Sequence, residues 1–325
     1  MVTIKAQRKM KAPVLLIVFN RLETAQKVFR AIREYEPDQL YVFADGWRQK
    51  RPGEEEKCKR VREWIKTNVD WPCELQTNFL DHNVGCGLGP STAISWFFDH
   101  VDSGIILEDD CVPHIDFFDF ALELLQRYSD DQKIMAINSS NFQSRTIGDG
   151  SYYFSMQNGP FCAWATWKRS WNFFDYSMKR YQKSAIVNSL KRYYRVTKRE
   201  LKWWMDIYDG LMVDKYQGSS WDYQFIFAIW ANRGKSLVPN VNLSTNIGFG
   251  PDATHTTDPN SVTANRPTAG ILPVKHPTDT TICRSADLFY HDFYYDRFVD
   301  HTSWFKKFKR FVKRLIKRKL TCEVS

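Results

Sequence analysis

The sequence predicts an α/β fold in which a mostly parallel β-sheet carries helices on both faces. Between residues 13 and 112, short apolar segments of strand length alternate with longer segments whose apolar residues recur at helical spacing. A strand–helix–strand order requires crossover connections, and these make neighbouring strands parallel. The chain has 325 residues, of which 43% are hydrophobic, so it can bury a sizeable core. One compact domain followed by a tail is the simplest organisation.

The elements of the first half follow in order from this alternation. The apolar segment over 14–19 is too short to span a membrane or to form the core of a signal sequence, and it predicts the first strand. Val28, Ala31 and Ile32 recur at helical spacing and predict a helix over 23–35. The same reasoning predicts strands over 40–44, 75–80, 105–107 and 133–138, and helices over 54–68, 90–100 and 117–128.

The second half of the chain is richer in aromatic residues and less regular. Residues 151–175 predict short strands around a Trp-bearing loop, and residues 177–217 predict a helical insertion. A helix over 220–233, a strand over 237–241 and a loop over 242–283 complete the pattern. We therefore expect one domain over 1–260 with halves at 13–140 and 141–260, a loop-rich extension over 261–300 and a tail helix over 301–325.

The positive charge of the chain is concentrated in its last segment. Nine basic residues and no acidic ones lie between 304 and 320, which equals the formal net charge of +9. Apolar residues recur there at three- and four-residue steps, a pattern typical of a helix that lies on an anionic membrane surface. A nucleic-acid-binding arm and a calmodulin-type target helix are the alternatives. The rest of the chain is formally neutral, so we expect no nucleic-acid partner.

The cysteines indicate the compartment. The chain has seven of them without CxxC spacing, which favours neither a zinc site nor a disulfide framework and fits a reducing environment. Together with the basic tail, this predicts a cytoplasmic protein that is peripherally associated with the inner face of the membrane.

Three consecutive acids, Glu108, Asp109 and Asp110, follow the predicted strand over 105–107. Ligands of α/β proteins bind beyond the carboxyl ends of parallel strands. Adjacent carboxylates repel one another unless a cation offsets their charge, and oxygen ligands suit Mg²⁺ or Mn²⁺. The alternative is a solvated acidic turn. The sequence therefore indicates a divalent-cation site at this edge of the sheet.

Four other residues occupy positions from which they could join these acids. Arg21 and Asp45 each follow a predicted strand, where they could grip a nucleotide or serve as ordinary turn residues. Asp222 lies just inside a predicted helix start, where it could act as a general base or only favour the helix N-terminus. His255 lies in a glycine-containing loop and could contact a metal ion or pyrophosphate, or lie on the surface.

The order of these motifs resembles that of the GT-A nucleotide-sugar-dependent glycosyltransferases, including the N-acetylglucosaminyltransferase I family and its bacterial relatives, over residues 13–255. The resemblance implies a Rossmann-like fold with a donor half at 13–140 and an acceptor half at 141–260. It implies that Asp110 and His255 hold Mn²⁺ or Mg²⁺. The remaining nucleotide-sugar contacts that it implies are Arg21, Asp45, Glu108, Asp109 and, in the loop at 159–167, Trp164.

The activity that the resemblance implies is inverting sugar transfer from a UDP-type nucleotide sugar to a hydroxyl of a glycan or lipid-linked acceptor at a membrane. Asp222 would be the base, because Tyr223 stands where the eukaryotic relative has a second acid. A sugar-1-phosphate nucleotidyltransferase is one alternative, but it normally carries a glycine- and arginine-rich loop with a lysine after the first strand, and residues 19–23 lack the glycine. A non-catalytic, membrane-associated glycan-binding protein is the other.

Overall fold

A computed structural model describes residues 10–157, 159, 162–215, 218, 221–250, 258 and 260–298 of the chain. His255 and the predicted tail helix over 301–325 lie outside these residues. The strands are β1 (Val14–Val18), β2 (Gln39–Ala44), β3 (Glu74–Phe79), β4 (Ser103–Glu108), β5 (Cys111–Pro113), β6 (Ile134–Asn138), β7 (Tyr152–Ser155), β8 (Trp164–Trp167), β9 (Lys235–Pro239) and β10 (Ser244–Asn246). The helices are α1 (Leu22–Tyr35), α2 (Glu54–Asn68), α3 (Gly85–His100), α4 (Asp116–Arg127), α5 (Lys168–Trp171), α6 (Lys183–Asn188), α7 (Lys198–Met212), α8 (Asp222–Ala231) and α9 (Arg284–Phe298).

Eight of the strands form one central sheet in the order β3-β2-β1-β4-β8-β6-β9-β7. Strands β3, β2, β1 and β4 run parallel to one another, as do β6 and β9. Strands β8 and β7 run antiparallel to their neighbours. The prediction of a mixed α/β fold with a mostly parallel sheet is confirmed, and the arrangement is consistent with a Rossmann-like fold.

Helices cover both faces of the sheet, because the strands are apolar on both sides. In β1, Val14, Leu16 and Val18 face a core that includes residues of α1, α2 and α4. Leu15 and Ile17 face the opposite core, to which α3, α7 and α8 contribute. Continuous burial of this kind is the pattern of a parallel strand inside a sheet. It leaves the carboxyl edge of β1, β2 and β4 as the place where polar residues collect.

A short antiparallel ribbon continues from this edge. Strand β5 follows the acids of β4 directly and pairs with β10, with Asn246 opposite Cys111. The ribbon brings the loop after β10 back onto the end of β4, although more than 130 positions of sequence separate them. This pairing determines that the loop after β10 is the segment that covers Asp110.

The helical insertion is present as α6, a π-helical turn over Ser189–Tyr193 and α7. Thr197 caps α7, and its hydroxyl accepts a hydrogen bond from the backbone N–H of Glu200 at 3.2 Å. No helix in the described part of the chain is long and apolar enough to cross a membrane.

The extension over 261–300 is predicted to be rich in loops, but part of it forms a helix, α9. Its first residue, Arg284, donates to the fully buried carboxylate of Glu200 in α7 at 2.8 and 2.9 Å. One turn later, Asp287 accepts a hydrogen bond from the Ser155 hydroxyl at 2.6 Å. The sequence pattern missed this helix because polar contacts with distant elements, rather than an apolar stripe, fix its start.

Candidate functional site

The three acids lie at the carboxyl edge of the sheet, as the sequence predicts. Glu108 is the last residue of β4 and pairs with Ile17 of β1. Asp109 and Asp110 form the turn into β5. Asp109 is buried, whereas Glu108 and Asp110 are partly exposed. We refer to Glu108, Asp109 and Asp110 as the acid cluster.

Arg21 lies across the acid cluster from the end of β1. Its guanidinium donates to Asp109 and, at 2.8 Å, to Asp110 Oδ2. The backbone N–H of Phe19 also donates to Asp109, at 3.3 Å. Burial alone would lower the pKa of Arg21, but the charges and hydrogen bonds of the two aspartates raise it overall. The structure therefore brings Arg21 into contact with the acids, and it places a fixed positive charge between β1 and β4.

Glu108 is the member of the acid cluster with the least compensation from the described residues, where only the more distant charge of Arg21 opposes the rise of its pKa. Among the described residues its carboxyl has no hydrogen-bond or ion-pair partner. Burial, and then the charges of Asp110, Asp109 and Asp222, raise the pKa of Glu108 to about 8. The pKa of Asp109 is also raised, to about 6, mainly by burial and against the opposing effect of Arg21. The acid cluster therefore carries negative charge that Arg21 balances only in part.

Asp222 belongs with these acids. It is the first residue of α8, and its charge is one of those that raise the pKa of Glu108. The neighbouring Trp221 is buried and stacks on Trp164, with ring centroids 5.8 Å apart. Packing of the aromatic pair thus sets the start of α8 against the acid cluster. The sequence places Asp222 at this helix start correctly, and the role of its carboxylate stays a prediction.

The loop after β10 closes over Asp110. The backbone N–H of Ile247 donates to the carbonyl oxygen of Asp110 at 2.8 Å. A Cβ atom on Gly248 would lie 2.0 Å from Asp110 Oδ2, so only glycine fits there. The Cys111 thiol donates to Asp110 Oδ1 at 3.3 Å. Sequence reasoning identified a glycine-containing loop here but did not connect Gly248 with Asp110, because this contact depends on the β5–β10 pairing.

Asp45 follows β2, as predicted, but its carboxylate is occupied by hydrogen bonds, three of which come from residues 83–85 at the start of α3. Its oxygens accept hydrogen bonds from the backbone N–H groups of Gly46, Val84 and Gly85 at 2.8–3.0 Å, and from Asn83 Nδ2 at 2.9 Å. Burial raises the pKa of Asp45 against these hydrogen bonds. In the structure, Asp45 fixes the start of α3. Its predicted contact with a nucleotide base stays a prediction.

A second ion pair lies at the same rim, and sequence reasoning missed it. Arg48 Nε lies 3.0 Å from Glu54 Oε2, and Asn20 Nδ2 donates to Glu54 Oε1 at 3.1 Å. The Arg48 guanidinium lies 5.4 Å from the centroid of the Phe19 ring. Glu54 joins the loops that follow β1 and β2 and holds them in one position. The one signal in the sequence is that Arg48, like Asp45, follows the end of β2.

Trp164 lies in the core rather than at a surface. It is 1% exposed and contacts Trp171 and Phe225, with ring centroids 6.5 and 5.6 Å away. The structure therefore assigns Trp164 to packing behind the acid cluster, and it offers no exposed indole face for the predicted contact with a donor sugar.

The carboxylate oxygens of the acid cluster are suitable ligands for a divalent cation, but without a substrate they are too few to complete its coordination shell. Among the described residues, no group of three or more His, Cys, Asp or Glu side chains is arranged to hold a metal ion. Glu108 and Asp110 are partly exposed, so theirs are the carboxyl oxygens of the acid cluster that a cation from solution can reach. Mg²⁺ is commonly held by one or two carboxylates, with water and substrate phosphates completing its shell. The second predicted ligand, His255, lies outside the described residues.

Comparison with known proteins identifies no family. No family model matches the chain, and no curated protein matches it. Among solved structures, HddC from Yersinia pseudotuberculosis matches at a TM-score of 0.30 and 8% identity, over 49% of this chain and 78% of that one. The 4-diphosphocytidyl-2C-methyl-D-erythritol synthase from Anaerococcus prevotii DSM 20548 matches at 0.29 and 8%, over 50% and 74%. HddC complexed with GMP-PN matches at 0.29 and 8%, over 49% and 78%.

These comparisons overturn the main functional prediction. The solved structures named above are nucleotidyltransferases, which agrees with the alternative reading rather than with a glycosyltransferase. The prediction of sugar transfer to a glycan or lipid-linked acceptor is therefore wrong. At TM-scores of 0.29 and 0.30 and 8% identity, these likenesses assign no activity to this chain.

Proposed function

We propose that the chain is a divalent-metal-dependent nucleotidyltransferase that joins the nucleotidyl group of a nucleoside triphosphate to a phosphate monoester such as a sugar 1-phosphate. One observation carries this proposal: the acid cluster, with Asp222 beside it and Arg21 across it, lies at the carboxyl edge of a parallel sheet. Ligands of α/β sheets bind in this position.

The reaction is a displacement at phosphorus. An oxygen of the phosphate monoester attacks the α-phosphorus of the triphosphate, a new P–O bond forms, and the bond to the bridging oxygen breaks to release pyrophosphate. The attacking phosphate is already ionised at neutral pH, so the reaction needs no general base. Positioning and neutralisation of charge are then the main tasks of the protein. The carboxyls of Glu108 and Asp110 and the guanidinium of Arg21 would perform these tasks, and Asp222 would have no proton to remove.

The carboxyls of Glu108 and Asp110 would hold the cation in this reaction. A divalent cation supplies neutralisation of the charge on the phosphate oxygens. Glu108, which has a raised pKa and no partner within the described residues, gains a compensating charge when a cation and its phosphates are present. The incomplete ligand set of the protein alone is consistent with a cation that arrives together with the triphosphate.

In this proposal Arg21 makes the phosphate contact that a glycine-rich loop makes in nucleotidyltransferases. The segment after β1 lacks the glycine, so its backbone does not form the usual phosphate cradle. Its arginine, however, already reaches the acid cluster. A guanidinium is suited to phosphate because it offers paired donors in one plane. Arg21 could therefore contact substrate phosphate once a cation offsets the charge of Asp109 and Asp110.

The proposal is tested by measuring pyrophosphate release with each of the four nucleoside triphosphates and a panel of sugar 1-phosphates, with and without Mg²⁺ or Mn²⁺. We expect release that needs both substrates and the metal. Asp110→Asn should lower the rate about a hundredfold or more, because it weakens a charge contact in the transition state. Asp130→Asn, the same change at an exposed acid outside the acid cluster, should leave it unchanged. Absence of pyrophosphate with every pair of substrates would contradict the proposal.

We also propose that residues 304–320 attach the chain to anionic membranes. The support is the sequence pattern alone, since these residues lie outside the described part of the chain. Nine basic residues would each contribute up to about 1 kcal/mol near an anionic surface before screening by salt. The phosphate monoester of the proposed reaction could then be a precursor of a molecule that is assembled at the membrane surface.

A further inference from the structure

A second concave surface lies at the opposite end of α8 from the acid cluster. This pocket has a volume of about 470 Å³ and is lined by Asn188, Ser189, Arg192, Tyr193 and Arg233, together with two alanines. Its volume is in the range of small-molecule binding sites. The ten residues of α8 separate it from Asp222, which corresponds to about 15 Å of helix. A ligand in this pocket would therefore not be the reacting group at the acid cluster.

The pocket carries positive charge that the described residues do not neutralise. Neither Arg192 nor Arg233 has a carboxylate within ion-pair distance in the described part of the chain. Lys183, in the same region, does have one, since its Nζ lies 2.5 Å from Asp209 Oδ1. Two guanidinium groups that face one concavity form a site for an anion with several oxygens, such as phosphate.

An exposed aromatic ring lies beside this charge. Tyr193 is 40% exposed, and the Arg233 guanidinium lies 6.0 Å from the centroid of its ring. Aromatic side chains in ligand pockets present a flat face against which a ring of the ligand packs. The pocket thus combines a subsite for an anion with a subsite for an attached ring.

The walls of the pocket are held rigidly and in uncommon backbone conformations. The Ser189 hydroxyl donates to the carbonyl oxygen of Trp230 at 2.6 Å, and the Tyr194 hydroxyl donates to that of Gly234 at 2.6 Å. Arg233 has a left-handed backbone with φ of 55°, a position that glycine normally takes after a helix end. The opposite wall is the π-helical turn over Ser189–Tyr193. Both conformations are enriched at functional sites.

We propose that this pocket binds a small phosphate-bearing ligand, whose phosphate pairs with Arg192 and Arg233 and whose ring lies against Tyr193. Free phosphate and a sugar phosphate share this chemistry. The proposal goes beyond the nucleotidyl transfer reaction and does not depend on it, because none of the pocket residues belongs to the acid cluster.

The test is calorimetric titration of the full chain at low salt, in the absence of divalent metal, with inorganic phosphate, glucose 1-phosphate and neutral glucose as probes. We expect both phosphates to bind and glucose not to bind. Arg192→Gln and Arg233→Gln should each weaken binding at least tenfold. Arg195→Gln is the matched control: it removes the same charge from the same region, at a residue outside the pocket with φ of 54°.

Further variants separate this site from the acid cluster and identify the ligand. Binding should persist in Arg21→Gln, which alters only the arginine that pairs with the acid cluster. Tighter binding of glucose 1-phosphate than of phosphate, lost in Tyr193→Ser, would support a sugar phosphate, whereas equal affinities would support free phosphate. The proposal is overturned if neither phosphate binds, if both pocket variants bind like the wild type, if Arg195→Gln weakens binding as much as they do, or if Arg21→Gln abolishes it.

Discussion

Replacement of Gly248 by alanine is expected to disable the acid cluster without unfolding the protein. The new Cβ would lie 2.0 Å from Asp110 Oδ2 and 2.6 Å from its Cγ, whereas real Cβ contacts are essentially never shorter than 3.0 Å. Asp110 or the loop must therefore move by about 1 Å. A misplacement of about 1 Å at a reacting centre can lower the rate about a hundredfold. Overpacking of this kind costs about 1–3 kcal/mol of folding stability.

The assay is pyrophosphate release, with thermal unfolding measured in parallel. Gly148→Ala is the matched control, because Gly148 has a left-handed φ of +71° with nothing within 4 Å of its added Cβ. It should lose about 1 kcal/mol of stability through backbone strain and keep full activity. A folded Gly248→Ala variant with wild-type activity would refute the role of Asp110, and an inactive Gly148→Ala variant would show that lost stability alone explains the effect.

Three other outcomes are expected. Arg21→Lys should lower kcat/KM for pyrophosphate release about tenfold or more, because one ammonium group cannot face two carboxylates as a guanidinium does; an unchanged kcat/KM would contradict this. Burial raises the pKa of Asp287 to about 6, so the folded state binds a proton at this carboxyl more tightly than the unfolded state does. The protonated carboxyl therefore contributes to stability at low pH, and this contribution falls as pH rises from about 4 to about 6. Urea unfolding should show a loss of up to about 3 kcal/mol over this range in the wild type but not in Asp287→Asn. Removal of residues 304–325 should release the protein from anionic vesicles in a sedimentation assay and leave pyrophosphate release intact, whereas continued sedimentation would exclude this segment as the anchor.

The sequence was informative where a local pattern decides the structure. The run of apolar residues before Glu108 predicts a buried strand, and the topology of a parallel sheet then carries its acids to the edge where β1 and β2 also end. Arg21 could be placed near these acids for the same reason. The boundaries of β1 and β4 differ from the predicted ones by only one or two residues.

What the sequence could not predict depends on contacts between distant segments. The position of Gly248 against Asp110 follows from the pairing of β5 with β10. The start of α9 depends on the pairing of Arg284 with Glu200 across 84 positions. Asp45 shows the same limit, because its carboxylate, at a suitable strand end, accepts hydrogen bonds from Val84 and Gly85, which lie 39 and 40 positions away. Local patterns carry no information about such pairings.

The choice of reaction was the largest error, and its cause is chemical. An arginine and a row of acids at a sheet edge serve equally for the transfer of a sugar and for the transfer of a nucleotidyl group, since both reactions use a metal-bound diphosphate or triphosphate. The residues that would distinguish them contact the second substrate. The motifs at the ends of β1, β2 and β4 do not identify those residues, so the sequence pattern alone could not separate the two reactions.

Phosphorus NMR of one reaction mixture tests the proposed nucleotidyl transfer most directly. Full-length protein is incubated with Mg²⁺, a nucleoside triphosphate and a sugar 1-phosphate, and the spectrum is followed with time. Nucleotidyl transfer predicts that the signals of pyrophosphate and of a nucleoside diphosphate sugar grow in equal amounts, and that neither grows with Asp110→Asn. If no mixture of triphosphate and sugar phosphate yields pyrophosphate, while a nucleotide sugar alone is converted to nucleoside diphosphate, the proposed reaction is wrong.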